Sequence, residues 1–166
     1  MKLTITIFRL AVMAFVVAGA PMSAQAGGSP MEQRNEKVVR DAFETWATEG
    51  GNVFKILAPD VKWTIPGSGP VAGTYHGIDD FMARASVPLV QRLAGPLKPK
   101  VHHIWAVDDR VIIRFDGSAM TTSGATYTNQ FVWIFKMDDG QVVEAEAFLD
   151  LIAYQTVVDN NPVRAQ

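Results

Sequence analysis

Apolar residues at helical spacing form one stripe between Val38 and Trp46. Ahead of the stripe, Ser29-Pro30-Met31-Glu32 has the capping-box pattern with proline at the first helical position, and Gly50-Gly51 follows the stripe. These signals predict a long helix between the box and the glycines. We expect Asn52 to cap a second, short helix, which Pro59 ends.

The middle of the chain passes from a strand pattern to a helix pattern through a glycine-rich loop. Val61 to Ile65 predicts a strand, and the segment from Pro66 to Pro70 has the residues of a turn-rich loop. The loop lacks the Gly-Lys-Ser/Thr ending of a phosphate-binding loop, which argues against a nucleotide site. Asp79-Asp80 then opens a third helix, which Pro88 should kink or split.

Alternation with a period of two dominates the C-terminal half of the chain. Short turn sequences separate four predicted strands: Lys100 to Val107, Arg110 to Met120, Thr126 to Met137 and Gln141 to Tyr154. Helices grouped early and strands grouped late predict an α+β fold, with three N-terminal helices packed on a mostly antiparallel sheet. We expect residues 159–166 to form a frayed C-terminal tail.

The last two predicted strands carry the candidate chemistry. Asp139-Gly140 favours a two-residue type I′ turn, which would place Asn129 directly opposite Asp150. The same face would carry rings and further acids: Tyr127, Phe131, Trp133, Phe135, Glu144, Glu146 and Phe148. A carboxylate beside an amide among aromatic rings suits proton transfer or the binding of a polar small molecule. The alternative is that the rings are core and the acids lie near solvent.

The opposite face of these strands is also apolar. Val132, Ile134, Ala147 and Leu149 would share it. Because the helices can cover only one face of the sheet, the other face needs a second partner. We therefore predict a homodimer through this outer face.

The first 26 residues have the pattern of a secretory signal peptide. Lys2 and Arg9 precede an apolar run of 11 residues, and Ala24-Gln25-Ala26 has the small-x-small form of a cleavage site. The run is too short to span the roughly 30 Å hydrocarbon core of a bilayer. We expect cleavage before Gly27, export to the periplasm or the medium without a stable membrane anchor, and one domain over residues 27–158.

Composition argues against several partners and reactions. Without Lys2 and Arg9 the chain has 13 basic and 17 acidic side chains, and the basic ones are scattered, so a nucleic-acid partner is not expected. There is no cysteine, and no serine lies in a nucleophile-elbow pattern. His102 and His103 are adjacent on a predicted strand, so they should point to opposite faces and cannot share one ion. We predict no metal and no cofactor.

Several loose motifs occur in an order that covers the whole predicted domain. They are the Asp60-Val61-Lys62-Trp63 strand, the loop Gly73-Thr74-Tyr75-His76-Gly77, Asn129-Gln130-Phe131, Gly140-Gln141-Val142 and Phe148-Leu149-Asp150. In this order they resemble the SnoaL-like branch of the nuclear-transport-factor-2-like (NTF2-like) superfamily. The resemblance implies a cone-shaped fold, in which a curved sheet wraps around the long helix and leaves a pocket open at one end. Members include metal-independent polyketide cyclases and ketosteroid isomerases, and others that only bind or scaffold.

The resemblance also implies roles for individual residues. Asp150 matches the acidic residue on the last strand that serves as general acid/base in SnoaL-type cyclases. Thr64 stands where ketosteroid isomerases carry their general base, which argues against steroid isomerisation. Arg114, Glu146 and Asp150 approximate the two acids and one arginine of the related epoxide hydrolase.

Two kinds of function fit these features: a cofactor-independent acid/base enzyme of cyclase, isomerase or hydratase type, and a non-catalytic ligand-binding or dimerisation module. In the enzyme, Asp150 would move a proton beside the carbonyl of a small apolar compound. Asn129, Tyr75 and His103 would orient that substrate or its oxyanion. We expect six rings to line the pocket: Trp46, Trp63, Tyr127, Phe131, Trp133 and Phe148. A cavity that Asp150 faces would favour the enzyme.

Overall fold

The long first helix, α1, extends over Pro30–Glu49 in the computed structural model, which describes residues 28–165. The Ser29 hydroxyl accepts a hydrogen bond from the Glu32 backbone N–H, and the Glu32 carboxylate accepts one from the Ser29 N–H, so the predicted capping box forms. Gly50 ends the helix in the left-handed region, with a φ of 63°. The predicted signal peptide lies outside the described residues.

A short 3-10 helix follows at Val53–Ile56, and the Asn52 side chain caps it by accepting from the Phe54 N–H. The expectation that Pro59 ends this helix is wrong, because the next strand already begins at Leu57. Pro59 lies where the pairing of that strand is irregular. A residue without an N–H is tolerated there because no regular ladder bond is lost.

Six strands form one sheet in the order β2-β1-β6-β5-β4-β3. The strands are β1 Leu57–Ile65, β2 Gly73–His76, β3 Lys98–Val107, β4 Arg110–Met120, β5 Thr126–Asp138 and β6 Gln141–Phe148. β1 and β6 are parallel, and the other pairs are antiparallel. The predicted α+β class and its mostly antiparallel, curved sheet are confirmed. Strand β2 was not predicted, because four residues beside a glycine-rich loop carry little periodic signal.

The third predicted helix is one irregular helical segment. It consists of α2 at Ile78–Phe81, a π-helical turn at Met82–Ser86 and α3 at Val87–Val90. The expected break near Pro88 is present as the π turn, which closes with a bond from the Val87 N–H to the Met82 carbonyl. Because Pro88 has no N–H to continue the regular ladder, irregular bonding immediately ahead of it is favoured.

The last predicted strand is wrong beyond Phe148. The chain leaves the sheet there and forms a fourth helix, α4, at Leu151–Asn160. The expected frayed tail is also wrong for Asp159 and Asn160, which belong to α4, and Arg164 bonds to two backbone carbonyls near the end of α3. Hydrogen bonds to distant residues hold the C-terminal segment, and such contacts leave no local sequence pattern.

Helix α1 packs against one face of the sheet, called here the inner face. Phe43 is buried between the inner-face rings of Phe115 and Trp133, with centroid separations of 5.0 and 5.7 Å. These edge-to-face contacts continue through Trp63 and Phe135, so the core of the domain is largely aromatic.

The register of β5 and β6 shifts by one residue near Val143. Met137 pairs with Val142 as the two-residue turn predicts, but Lys136 pairs with Glu144. Because side chains alternate, this bulge inverts every later position of β6. Ala145 and Ala147 therefore point to the inner face, whereas Glu144, Glu146 and Phe148 point to the opposite, outer face with Val132 and Ile134.

Candidate functional site

A cavity of about 310 Å³ lies between the inner face of the sheet, the 3-10 helix and the helical segment from Met82 to Val90. Seven aromatic rings contribute to its wall: Trp46, Phe54, Trp63, Phe81, Phe131, Trp133 and Tyr154. Aliphatic side chains complete it, among them Ile65, Met82, Leu89, Leu97 and Leu149. The wall is therefore almost entirely apolar.

Small residues keep this space open. Ala147 lies opposite Trp133 in the sheet and lines the cavity, which it does only because the bulge turns it inward. Gly117 makes room for the Phe131 ring, since a Cβ at this glycine would come within 2.9 Å of that ring. The sequence thus places large rings next to residues with little or no side chain.

Few polar groups reach the cavity wall. Ser86 is buried in the π turn, and the Trp63 indole N–H has no hydrogen-bond partner among the described residues. The Tyr154 hydroxyl donates to the Ala85 carbonyl at 2.7 Å, and burial raises the pKa of this phenol well above its usual value. No Asp, Glu, His, Lys or Arg is found among the described residues that line the cavity. The wall therefore offers no group that exchanges protons readily near neutral pH.

The prediction that Asp150 lies on a strand is wrong. Asp150 is instead the N-cap of α4. Its Oδ1 accepts from the Ile152 and Ala153 backbone N–H groups at 2.9 and 3.0 Å. The side chain is exposed and does not line the cavity. An aspartate in this position satisfies free helix N–H groups and complements the helix dipole.

The predicted proximity of Asn129 and Asp150 is confirmed, but the contact uses the backbone of Asp150. Asn129 donates to the Asp150 carbonyl and accepts from the Asp150 N–H, both at 2.9 Å. It also donates to the Tyr127 hydroxyl, and burial raises the pKa of that phenol to about 12. The buried amide thus extends the β5–β6 pairing to the point where the chain enters α4.

The other two predicted catalytic residues lie away from the cavity. Tyr75 is buried in β2, where its hydroxyl donates to the Val71 carbonyl at 2.6 Å and the Arg84 guanidinium lies over its ring. His103 is exposed and stacks on Trp105, with 4.9 Å between centroids. The structure therefore does not bring Asp150, Tyr75 and His103 together at the cavity.

Four of the six rings predicted to line the pocket do so: Trp46, Trp63, Phe131 and Trp133. Tyr127 is buried beside Asn129 instead, and Phe148 points outward because of the bulge. Sequence reasoning missed Phe54, Met82 and Ser86. Phe81, Ala85 and Leu89 recur at helical spacing in the third predicted helix, and this apolar stripe was the signal that could have placed that helix in the wall.

The outer face carries polar networks. Asp116 accepts from Arg114 and contacts the His102 ring, each at 2.7 Å, and these bonds hold the pKa of its carboxyl below the usual value. A register shift between Val101 and His103 leaves both neighbouring histidines exposed, contrary to the expected alternation. Within residues 28–165, no group of three or more side chains is arranged to bind a metal, and no helix is long and apolar enough to cross a membrane.

An open groove of about 710 Å³ lies on the outer side, near the end of β6. Asp150 and Asn129 both line it, together with Arg114, Asp116 and Phe148. The two predicted polar site residues therefore share a surface, but it is on the other side of the sheet from the apolar cavity.

The family profile of the SnoaL-like domain matches residues 39–145, which is more than half of the 166-residue chain. The chain belongs to the SnoaL-like family. The match covers the second half of α1 and most of the sheet, and confirms the resemblance to the NTF2-like superfamily. A sequence search of curated proteins gives no significant match.

Solved structures support the same fold. A proposed SnoaL-like polyketide cyclase from Jannaschia sp. CCS1 has a TM-score of 0.65 and 23% identity, over 82% of this chain and 99% of that one. An NTF2-like protein of unknown function from Burkholderia pseudomallei K96243 has a TM-score of 0.61 and 23% identity, over 75% and 97% of the two chains. AclR from Streptomyces galilaeus, a proposed hydroxylase, has a TM-score of 0.60 and 16% identity, over 79% and 88%. At these identities the likeness establishes the fold alone.

Proposed function

We propose that this SnoaL-like domain binds a small, largely apolar molecule in the cavity on its inner face. The observation that carries the proposal is an open space of about 310 Å³ walled by seven aromatic rings, in a domain that otherwise buries its inner face. Ligand sites are typically concave and apolar, with few polar groups. The name of the Jannaschia relative, a proposed polyketide cyclase, supports an organic ligand of this class.

The volume sets the size of the ligand. An apolar protein cavity of about 150 Å³ binds benzene, so a cavity of about 310 Å³ has room for roughly two fused rings. The absence of carboxylates and histidines from the described wall supports binding without acid/base chemistry inside the cavity.

Binding can be tested with the bicyclic probe indane. We expect indane to quench or shift tryptophan fluorescence, because three of the four tryptophans line the cavity. Ala85→Leu adds a bulky group to the wall and should weaken binding at least tenfold. Ala83→Leu is the matched control, since this alanine is exposed in the same π turn and does not line the cavity.

Isothermal titration of wild type and both variants gives the affinities, and circular dichroism shows whether each variant is folded. If indane and related two-ring compounds fail to bind the folded wild type, the proposed function is wrong. It is also wrong if Ala83→Leu and Ala85→Leu weaken binding equally, since the ligand would then lie elsewhere.

An enzyme remains the second candidate, with Asp150 as its acid/base group. It is favoured by the position of Asp150 and Asn129 beside the outer groove, where a carbonyl compound could approach from solvent. This function would be established if a substrate is turned over by wild type and not by Asp150→Asn, while both proteins bind indane equally in the inner cavity. A search with small cyclic ketones and lactones that finds no Asp150-dependent turnover would remove it.

We also infer a homodimer through the outer face, now defined by Trp105, Ile112, Val132, Ile134 and Phe148. Trp105 and Phe148 are 47% and 41% exposed, which is unusual for such large rings. Ala147 and Leu149, which were predicted to belong to this face, line the inner cavity instead. Light scattering should give twice the chain mass for wild type and the single mass for Phe148→Glu, with Met31→Glu on α1 as control. A monomeric wild type at micromolar concentration would overturn the inference.

Export is the remaining proposal, and it rests on the N-terminal sequence pattern alone. Expression in a bacterium should release a chain that begins at Gly27. N-terminal sequencing of the periplasmic fraction tests this, and a protein that retains Met1 would contradict it.

A further inference from the structure

Trp63 has a buried hydrogen-bond donor that no described residue uses. The residue is 1% exposed, and its Nε1 has no acceptor in the structure. It is the single such side-chain atom found within residues 28–165. Buried N–H groups almost always have a partner, so this one needs an explanation.

The surroundings of Trp63 are aromatic on several sides. Its ring stacks on Phe81 at 4.1 Å between centroids and meets the edges of Trp133 and Phe54 at 5.2 and 5.9 Å. These side chains have no acceptor oxygen or nitrogen. Trp63 also lines the apolar cavity, so the occupant of that cavity is the available source of an acceptor.

We propose that the ligand is a neutral compound with a carbonyl or ether oxygen that accepts a hydrogen bond from Trp63 Nε1–H. This rests on the proposed function, since it requires that the cavity be occupied. A carboxylate or phosphate is a poor occupant, because no described lining residue carries a positive charge to compensate it. The ligand class is therefore a two-ring ketone, lactone or cyclic ether.

Indane and 1-indanone form the matched probe pair, because they share the two-ring frame and differ by one carbonyl. Titration calorimetry measures both against wild type, Trp63→Phe and Trp46→Phe. Both variants remove one indole from the cavity wall, but the unpartnered N–H belongs to Trp63. Any added volume affects the two probes alike, so the ratio of their affinities reports the carbonyl contact.

We expect the ratio of indanone to indane affinity to fall about tenfold in Trp63→Phe, because the carbonyl is then desolvated without a partner. In Trp46→Phe the ratio should stay within about twofold of wild type. Equal ratios in wild type and Trp63→Phe would overturn the acceptor contact and leave cavity binding intact. Failure of both probes to bind wild type would overturn the proposed function, and this inference with it.

A second measurement does not require Trp63→Phe to fold. In wild type, 1-indanone should move the Trp63 indole proton resonance downfield, whereas indane should not. Signals are assigned with Phe variants of the other three tryptophans. If both probes bind and shift this resonance equally, the hydrogen bond is absent and the inference is wrong. Ser86→Ala tests a buried hydroxyl of the same cavity wall. If the affinity ratio falls in Ser86→Ala but is unchanged in Trp63→Phe, the hydrogen bond comes from Ser86 and the inference is wrong.

Discussion

The inner and outer faces of the sheet are built from the same strands but differ in chemistry. On the inner face, Phe115, Phe131 and Trp133 are buried among other rings, and no charged side chain lines the cavity beside them in the described chain. On the outer face, Glu144 lies between Lys62 and Lys136, and Asp116 between Arg114 and His102. The comparison indicates that one face holds the domain together around an apolar space, while the other is suited to solvent or a second protein surface.

Truncating one phenylalanine on each face should give the largest difference. Phe115→Ala on the inner face removes a fully buried ring and should lower the free energy of unfolding by about 3–5 kcal/mol. Phe148→Ala on the outer face removes a ring that is 41% exposed within one chain and should cost the single chain about 1 kcal/mol. Urea denaturation at protein concentrations low enough for the wild type to be monomeric measures both values. A similar, large loss for Phe148→Ala under those conditions would contradict the comparison, whereas an extra loss that appears only at higher protein concentration belongs to the inferred dimer.

Asn129 joins the sheet to α4 and should have the next largest effect. Asn129→Ala leaves the Asp150 and Gln130 N–H groups without their acceptor and should cost about 2–3 kcal/mol. Thr128→Ala is the neighbouring control on the exposed side of β5, with an expected change of about 0.5 kcal/mol. Hydrogen exchange should show faster opening of α4 in Asn129→Ala. Unchanged protection of α4 would show that the Asn129 amide does not stabilise this helix.

Asp150 distinguishes a capping role from a chemical role on the outer side. Asp150→Ala should destabilise the domain by about 1 kcal/mol, because two helix N–H groups lose their acceptor. Asp150→Asn should change stability much less, since asparagine is an equally good N-cap. Thermal denaturation of the two variants provides the measurement. Equal destabilisation by Ala and Asn would show that the negative charge, rather than the cap, is what matters.

Asp116 should have the smallest effect, and it should depend on pH. Its bonds to His102 and Arg114 lower the pKa of its carboxyl in the folded state. The stabilisation is therefore complete above the unfolded pKa, near 4, and is lost as the pH falls through the lower folded value. Asp116→Asn should reduce Tm by about 1 °C at pH 7, and this difference should shrink as the pH falls below 4. A difference that persists at low pH would contradict this assignment.

Local signals predicted the first part of the fold well. The capping box at Ser29, the left-handed end of α1 at Gly50 and the cap at Asn52 each involve residues within a few positions of one another. The four rings that were correctly placed in the pocket are three tryptophans and Phe131, and they lie on α1, β1 and β5. In these segments a helix or strand period is enough to determine which side chains share a face.

The candidate site was predicted less well, because its errors come from single-residue events. The bulge at Val143 inverted β6, so Glu144, Glu146 and Phe148 left the face on which alternation had placed them. The step from β6 into α4 changed Asp150 from a strand residue into a helix cap. A turn rule extended over ten residues cannot detect an added residue in one strand.

The amino-acid sequence by itself determined the fold class, the caps of the first two helices, the order of the elements apart from β2 and α4, and the aromatic character of the inner face. These depend on local hydrogen bonds and on the period of apolar residues, which the order of residues specifies directly. The tertiary structure decided which side of β6 is inside, that Ala147 leaves a cavity open, and that Trp63 has an N–H without a partner. Those features arise where strands and helices distant in sequence pack together, and their geometry depends on all the partners at once.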